Sequence, residues 1–84
     1  MTTKLKAILK SIIKDMASTD GDVVFDIATT MRNQSMIQLL LEAGCPQSII
    51  FAIRDSLPLS YLERKYCATK ILSAVKKIPT KSRD

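Results

Sequence analysis

Residues 35–46 decide the fold of this chain, and they read Ser35-Met36-Ile37-Gln38-Leu39-Leu40-Leu41-Glu42-Ala43-Gly44-Cys45-Pro46. Ser35 and Gln38 have the spacing of a capping box, in which a hydroxyl begins a helix and a glutamine three residues later completes the cap. Gly44 suits the left-handed backbone that ends many helices, and Pro46 suits the first turn of a new one. The stretch therefore predicts a short helix with defined ends, followed at once by another helix.

This short helix is apolar around most of its circumference. Its apolar residues are Met36, Ile37, Leu39, Leu40 and Leu41. A surface helix needs only one apolar stripe, so a helix of this kind is either central in the domain or exposed for a partner.

Two further helices are predicted before this stretch. The first has an apolar face at the spacing of one helix side, formed by Leu5, Ile8, Leu9, Ile12, Ile13 and Met16. Lys6, Lys10 and Lys14 form a separate row on the same helix. Thr19 and Asp22 approximate a capping box for the second helix, which ends near Asn33. Its apolar stripe consists of Val24, Ile27, Ala28 and Met31.

Two more helices are predicted after Gly44. The fourth starts at Pro46 and must end at Leu57-Pro58, because proline disfavours a helical residue before it. Ser60 and Glu63 form a capping box that opens the fifth helix, and Pro79 stops it. We therefore predict an all-α fold, a compact bundle of about five short helices, with residues 1–79 as a single domain and residues 80–84 as a flexible polar tail.

The composition argues against an enzyme. The chain of 84 residues contains no histidine, so the commonest general base and zinc ligand are missing, and its two glycines cannot form a phosphate-binding loop. We expect no catalytic residue, no metal site and no cofactor. Cys45 and Cys67 lack metal-motif spacing, and we expect both to be small buried thiols.

The charge pattern is uneven along the chain. Residues 1–19 carry four lysines against one acid, residues 20–55 carry two arginines against five acids, and residues 56–84 carry seven basic residues against two acids. Two basic ends around an acidic middle either neutralise one another in the fold or leave a basic face for an acidic partner.

The chain has no run of about 18 apolar residues, and its N-terminal lysines are interleaved with apolar residues, so we expect a cytoplasmic protein.

Residues from Asp20 to Cys45 resemble one ankyrin-type repeat. Asp20-Gly21 stands at that family's Asp-Gly turn, and residues 36–44 look like its second helix. Phe25, Ile27 and Ala28 stand where the family has leucine, leucine and alanine in its first helix. An ankyrin array needs about three repeats to bury its core, and no second copy follows Pro46. The resemblance therefore implies a helix pair with ankyrin-like local chemistry.

Residues from Met36 to Arg54 also resemble a helix-turn-helix, with the fourth helix as the recognition helix. The residues that match its buried and turn positions are Leu39, Ala43, Gly44, Ile50 and Ile53. The resemblance implies that Gln47, Ser48 and Arg54 approach DNA, with Lys6, Lys10 and Lys14 supplying phosphate contacts.

The overall composition resembles that of small, basic, lysine- and isoleucine-rich accessory proteins of large tailed phages, such as lysis-inhibition proteins. This resemblance implies a non-enzymatic regulator or inhibitor that binds one protein target. Our leading hypothesis is such a regulator, which buries an apolar helical surface against a partner protein or, as a homodimer, against its own copy. The residues expected on that surface are Leu40, Leu41, Ile49, Phe51, Ile53 and Arg54.

Two alternatives remain open. The first is a nucleic-acid-binding regulator that uses the helix-turn-helix residues and the lysine row. The second, which we favour less, is attachment to an anionic membrane surface through the basic first helix.

Overall fold

The computed structural model describes residues 1–80, which form five α-helices and no strand. The helices are α1 (Thr3–Met16), α2 (Gly21–Arg32), α3 (Gln34–Glu42), α4 (Gln47–Ser56) and α5 (Tyr61–Lys76). The predicted all-α bundle of five short helices is confirmed. The predicted polar tail falls almost entirely on residues 81–84, which lie outside the described residues.

Polar side chains cap the N-termini of four helices by accepting a hydrogen bond from a backbone N–H. The capping residues are Thr2, Asp20, Asn33 and Ser60. Ser60 behaves as its sequence predicts, since its hydroxyl accepts from the Glu63 N–H at 3.4 Å and donates to the Glu63 carboxylate at 2.9 Å. Helix α4 has no side-chain cap, and Pro46 lies just before it at the N-cap position.

The sequence misplaced the start of two helices. Asn33, not Ser35, caps α3, because its Oδ1 accepts from the backbone N–H groups of Ser35 and Met36 at 2.9 and 3.2 Å. Asp20, not Thr19, caps α2 by accepting from the N–H of Asp22 at 2.9 Å. Several residues near each junction are good caps, and the backbone path selects one of them.

The end of α3 is a Schellman motif centred on Gly44. The Cys45 N–H donates to the Leu40 carbonyl at 2.9 Å, and the Gly44 N–H donates to the Leu41 carbonyl at 3.1 Å. Gly44 has a φ of 97°, and it is the only positive φ among residues 1–80. The predicted left-handed glycine stop is therefore confirmed, and it allows the chain to turn directly into α4.

Four helices pack around a shared core, with α3 attached at one side. Helix α1 packs against α5 and α2, and α4 packs against the same two helices. Consequently α1 and α4 lie on opposite sides of the domain, as do α2 and α5. Helix α3 packs mainly against α2, so it is peripheral rather than central.

The core is aliphatic. Its fully buried large side chains are Leu9, Ile13, Met16, Met31, Ile50, Ile53 and Val75. The predicted apolar face of α1 is wider than the buried one, because Ile8 remains 48% exposed and Ile12 is only half-buried. Helix α1 thus buries a narrow stripe against two neighbours.

Arg64 ties three separate segments together from the first turns of α5. Its guanidinium donates to the backbone carbonyls of Met16 at 3.0 Å, Ser18 at 3.0 Å and Leu59 at 2.8 Å. Two of these carbonyls belong to the end of α1 and the following loop, and the third belongs to the loop between α4 and α5. Arg64 therefore fixes the position of α1 relative to α5.

Replacement by alanine is expected to destabilise the domain at Gly44 but not at Gly21. Gly44→Ala should lower the free energy of unfolding by about 1–2 kcal/mol, because a Cβ disfavours positive φ. Gly21→Ala is the matched control, since a Cβ there meets nothing within 4 Å and φ is not positive. It should be neutral or stabilising by about 0.5 kcal/mol. Urea denaturation measures the free energy of unfolding of each variant, and equal changes for the two substitutions would contradict the structure.

Removing the Arg64 guanidinium is expected to destabilise the domain. Arg64→Ala should lower the free energy of unfolding by about 2–3 kcal/mol, because charged hydrogen bonds are lost and three carbonyls lose their donor. Arg64→Lys should restore only part of this loss, since an ammonium lacks the planar fork. Lys65→Ala, at the exposed neighbouring position, should change stability by less than about 0.5 kcal/mol. Similar urea midpoints for Arg64→Ala and Lys65→Ala would show that the three bonds contribute little.

Candidate functional site

Half of the residues expected on a partner surface belong to the core. Leu40, Ile49 and Ile53 are 5%, 6% and 0% exposed. The prediction that these three residues contact a partner is therefore wrong for this structure, because α2 and α5 already cover the sides of α3 and α4 on which they lie.

The other expected partner residues are exposed. Leu41 is 36% exposed and Phe51 is 43% exposed, and Arg54 lies one turn after Phe51 on the outer side of α4. The Arg54 guanidinium carbon lies 5.6 Å from the centre of the Phe51 ring. This distance is within the range of a cation–π interaction, which orients both side chains on the surface.

All four aromatic side chains of the protein are exposed. Their exposed fractions are 70% for Phe25, 43% for Phe51, 38% for Tyr61 and 62% for Tyr66. Aromatic rings usually contribute large buried areas to a core and are enriched in protein interfaces. Their placement here leaves the largest apolar side chains free for binding.

Two of these rings flank an apolar groove between α4 and α5. The groove, which we call the α4–α5 groove, measures about 400 Å³ and is lined by Ala52, Asp55, Ser56, Leu59, Cys67, Lys70 and Ile71. The lining does not include Phe51 or Tyr66 themselves. Phe51 lies one helical turn before the lining residue Asp55, and Tyr66 lies one turn before the lining residue Lys70, so each ring shares a helix face with the groove. One ring from each helix therefore stands beside the groove.

A second aromatic–cation pair lies at the α5 side of the groove. The Lys70 ammonium lies 4.7 Å from the centre of the Tyr66 ring. Hydrogen bonding with Tyr66 raises the pKa of Lys70 above its usual value. Asp55 contributes a carboxylate on the α4 side. The groove thus combines an apolar floor with charges of both signs.

The two cysteines occupy different environments. Cys45 is buried, and burial raises the pKa of its thiol from 9.0 to about 11. Cys67 is only half-buried and lines the α4–α5 groove, so the expectation that both thiols are buried is corrected for Cys67.

Because the unfolded Cys45 thiol releases its proton at a lower pH than the folded one, this group reduces stability as pH rises from about 9 towards 11.

The residues of the nucleic-acid alternative lie on two separate surfaces. Gln47, Ser48 and Arg54 are exposed on α4, while Lys10 and Lys14 are exposed and Lys6 is half-buried on α1. Because α1 and α4 lie on opposite sides of the domain, the lysine row does not extend the α4 surface. The expectation that these residues act together on one stretch of DNA is therefore corrected.

The membrane alternative meets a different obstacle. The apolar side of α1 is buried in the domain through Leu5, Leu9, Ile13 and Met16, and Ile8 is the only large apolar side chain of this helix that is exposed. An interfacial helix needs a free apolar face to enter the lipid boundary. None of the five helices within residues 1–80 has the length and hydropathy needed to cross a bilayer.

Comparison of the chain with protein-family models, with curated proteins and with solved structures finds no match. The ankyrin-like, helix-turn-helix and phage-protein resemblances thus remain predictions from the sequence.

Sequence reasoning missed the α4–α5 groove and the Tyr66–Lys70 pair. The available signal was the helical spacing, since Phe51 and Arg54 are three residues apart and Tyr66 and Lys70 are four apart. No sequence pattern predicts the groove itself, because the groove depends on how α4 and α5 pack.

The two thiols are expected to differ in reactivity. At about pH 8, Cys67 should react with iodoacetamide within minutes, while Cys45 should react only after unfolding, because a buried neutral thiol is a poor nucleophile. Mass spectrometry of tryptic peptides distinguishes the two sites, and labelling in urea serves as the positive control for Cys45. Equal labelling rates in the native protein would contradict the burial of Cys45.

Proposed function

We propose that this protein is a small non-enzymatic regulator or inhibitor that binds a partner protein through the α4–α5 groove. The observation that carries the proposal is the exposure of all four aromatic side chains, two of which share helix faces with residues that line this groove. Interface hot spots are enriched in aromatic residues and arginine, and they contribute most of the binding energy. Phe51, Tyr66 and Arg54 are side chains of this kind.

The chemistry of the groove suits an amphipathic segment. Its apolar floor between two helices matches the recognition mode in which a partner helix lays an apolar face into a groove. Arg54 and Lys70 favour acidic residues at the edge of such a segment, and Asp55 favours a basic one. A second copy that offers its own exposed apolar residues is also a partner of this class, which corresponds to a homodimer.

The phage-protein resemblance supports a single protein target rather than a metabolic substrate. It also supports an inhibitory or regulatory effect, because a chain of this size without catalytic groups acts by occupying a surface of its target. A cytoplasmic location agrees with this proposal, as does the presence of two free thiols within residues 1–80.

Nucleic-acid binding is the second candidate, and the two aromatic–cation pairs favour it. Unpaired bases stack on exposed rings, and neighbouring cations neutralise phosphates. Gln47 and Ser48 lie exposed on the same helix as Phe51 and Arg54. This candidate uses the α4–α5 side of the domain and does not require the lysine row of α1.

Binding is tested with the immobilised protein in extract of its native cell, with and without nuclease. Phe51→Ser with Tyr66→Ser should reduce capture of the partner at least tenfold, because each lost ring contact is worth about 1–2 kcal/mol. The matched control is Ile8→Ser with Leu39→Ser, which removes two exposed apolar side chains away from the groove. Circular dichroism checks that both variants keep the helical fold.

Alkylation of Cys67 locates the interface independently. A partner that occupies the α4–α5 groove should slow Cys67 labelling at least tenfold, with no effect on Cys45. Capture that nuclease abolishes, and that falls steeply with salt, would replace the protein partner by nucleic acid. Equal capture by the groove variant and the wild type, without protection of Cys67, would overturn both candidates.

A further inference from the structure

The fold places the two most basic helices next to each other and the acidic α2 across the domain from α5. The two basic helices α1 and α5 pack together, and α1 lies between α5 and the acidic α2. Helix α2 with its N-cap carries Asp20, Asp22 and Asp26. A domain polarised in this way attracts other copies of itself in a head-to-tail orientation, because the basic side of one copy faces the acidic side of the next.

The basic side contains a defined groove, which we call the α1–α5 groove. It measures about 240 Å³ and is lined by Lys10, Ile13, Lys14, Ala17, Lys65, Ala68, Thr69 and Leu72. The three lysines are exposed, while Ile13 and Ala68 are buried beneath them. Within residues 1–80 none of these three lysines is paired with a carboxylate. The groove therefore offers an apolar floor with an unneutralised basic rim.

The acidic side carries a matching projection on α2, which we call the acidic knob and define as Asp22, Phe25 and Asp26. Phe25 is 70% exposed, although it is the largest apolar side chain on α2. Asp22 lies one turn before it and Asp26 directly follows it, and both are exposed. One apolar ring flanked by two carboxylates has the reverse polarity of the α1–α5 groove.

We propose that the acidic knob of one copy binds the α1–α5 groove of a second copy. Asp22 and Asp26 are four residues apart on a helix, and so are Lys10 and Lys14, so the two carboxylates match the spacing of the two ammonium groups. The ring of Phe25 enters between the two lysines and contacts the apolar floor of the α1–α5 groove. One copy cannot make this contact within itself, because α1 separates its α2 from its α5.

Such a contact is heterologous, because the two copies use different surfaces. Each copy keeps one free groove and one free knob, so association continues into chains or closes into a ring. The interface is small and depends on exposed charges, so it is weak and sensitive to salt. It leaves the α4–α5 groove free, and its test is independent of the proposed function.

The test uses two variants that each lose one half of the contact. Lys10→Glu with Lys14→Glu destroys the groove and leaves the knob, and Phe25→Ala with Asp26→Lys destroys the knob and leaves the groove. Sedimentation velocity at high protein concentration and low salt should show wild-type assemblies that dissociate at high salt. Each variant alone should be monomeric, and an equal mixture of the two should form a one-to-one dimer that grows no further.

Matched controls separate this contact from a general effect of charge. Lys76→Glu with Lys77→Glu makes the same change in net charge as the groove variant, at exposed positions beyond the groove. It should assemble like the wild type. Should a double variant fail to fold, as judged by circular dichroism, Lys65→Glu and Phe25→Ala alone replace it, and each should weaken assembly at least fivefold.

Four results would overturn the proposal. The first is a wild-type protein that stays monomeric at low salt, and the second is a mixture of the two variants that stays monomeric. The third is a dimer that survives both variants, which would indicate a symmetric interface elsewhere, such as the α4–α5 groove. Assembly lost equally in the Lys76 and Lys77 control would assign the effect to net charge and reject the knob and groove.

Discussion

The guanidinium of Arg64 ties the end of α1 and two loops to α5, at a place where α1 and α5 also share the core. It donates to carbonyls at the end of α1, in the loop that follows α1 and in the loop before α5. Arginine suits this position because its rigid planar group carries five N–H donors and can reach several carbonyls at once. The α4–α5 groove and the α1–α5 groove both border α5, so their shapes depend on the contacts of Arg64.

The exclusion of aromatic rings from the core follows from the way the helices pack. The core consists of leucine, isoleucine, methionine, valine, alanine and cysteine side chains. These side chains fill a small four-helix interior, and the rings remain on outer faces where Arg54 and Lys70 lie over two of them. A domain of this size has little buried area to spare. The exposure of these rings is the observation on which the proposed binding function rests.

The order of packing also creates the charge separation. Helices α1 and α5 are distant in the sequence, but their contact brings Lys10, Lys14 and Lys65 together along one groove. The acidic middle of the chain supplies α2, which packs on the other side of α1. The sequence left open whether the two ends neutralise the middle or form a basic face. The tertiary arrangement favours the basic face.

The amino-acid sequence by itself determined the number of helices and several of their ends. Gly44, Leu57-Pro58 and the Ser60–Glu63 cap act through bonds within a few residues, so local reasoning identified them. Only the tertiary structure decided which faces are covered. Leu39 is 59% exposed and Leu40 is 5% exposed, although they are adjacent leucines of the same helix. The stretch from Ser35 to Pro46 therefore specified a capped apolar helix, while the position of α2 decided which of its leucines are buried, because burial depends on neighbours that are distant in the sequence.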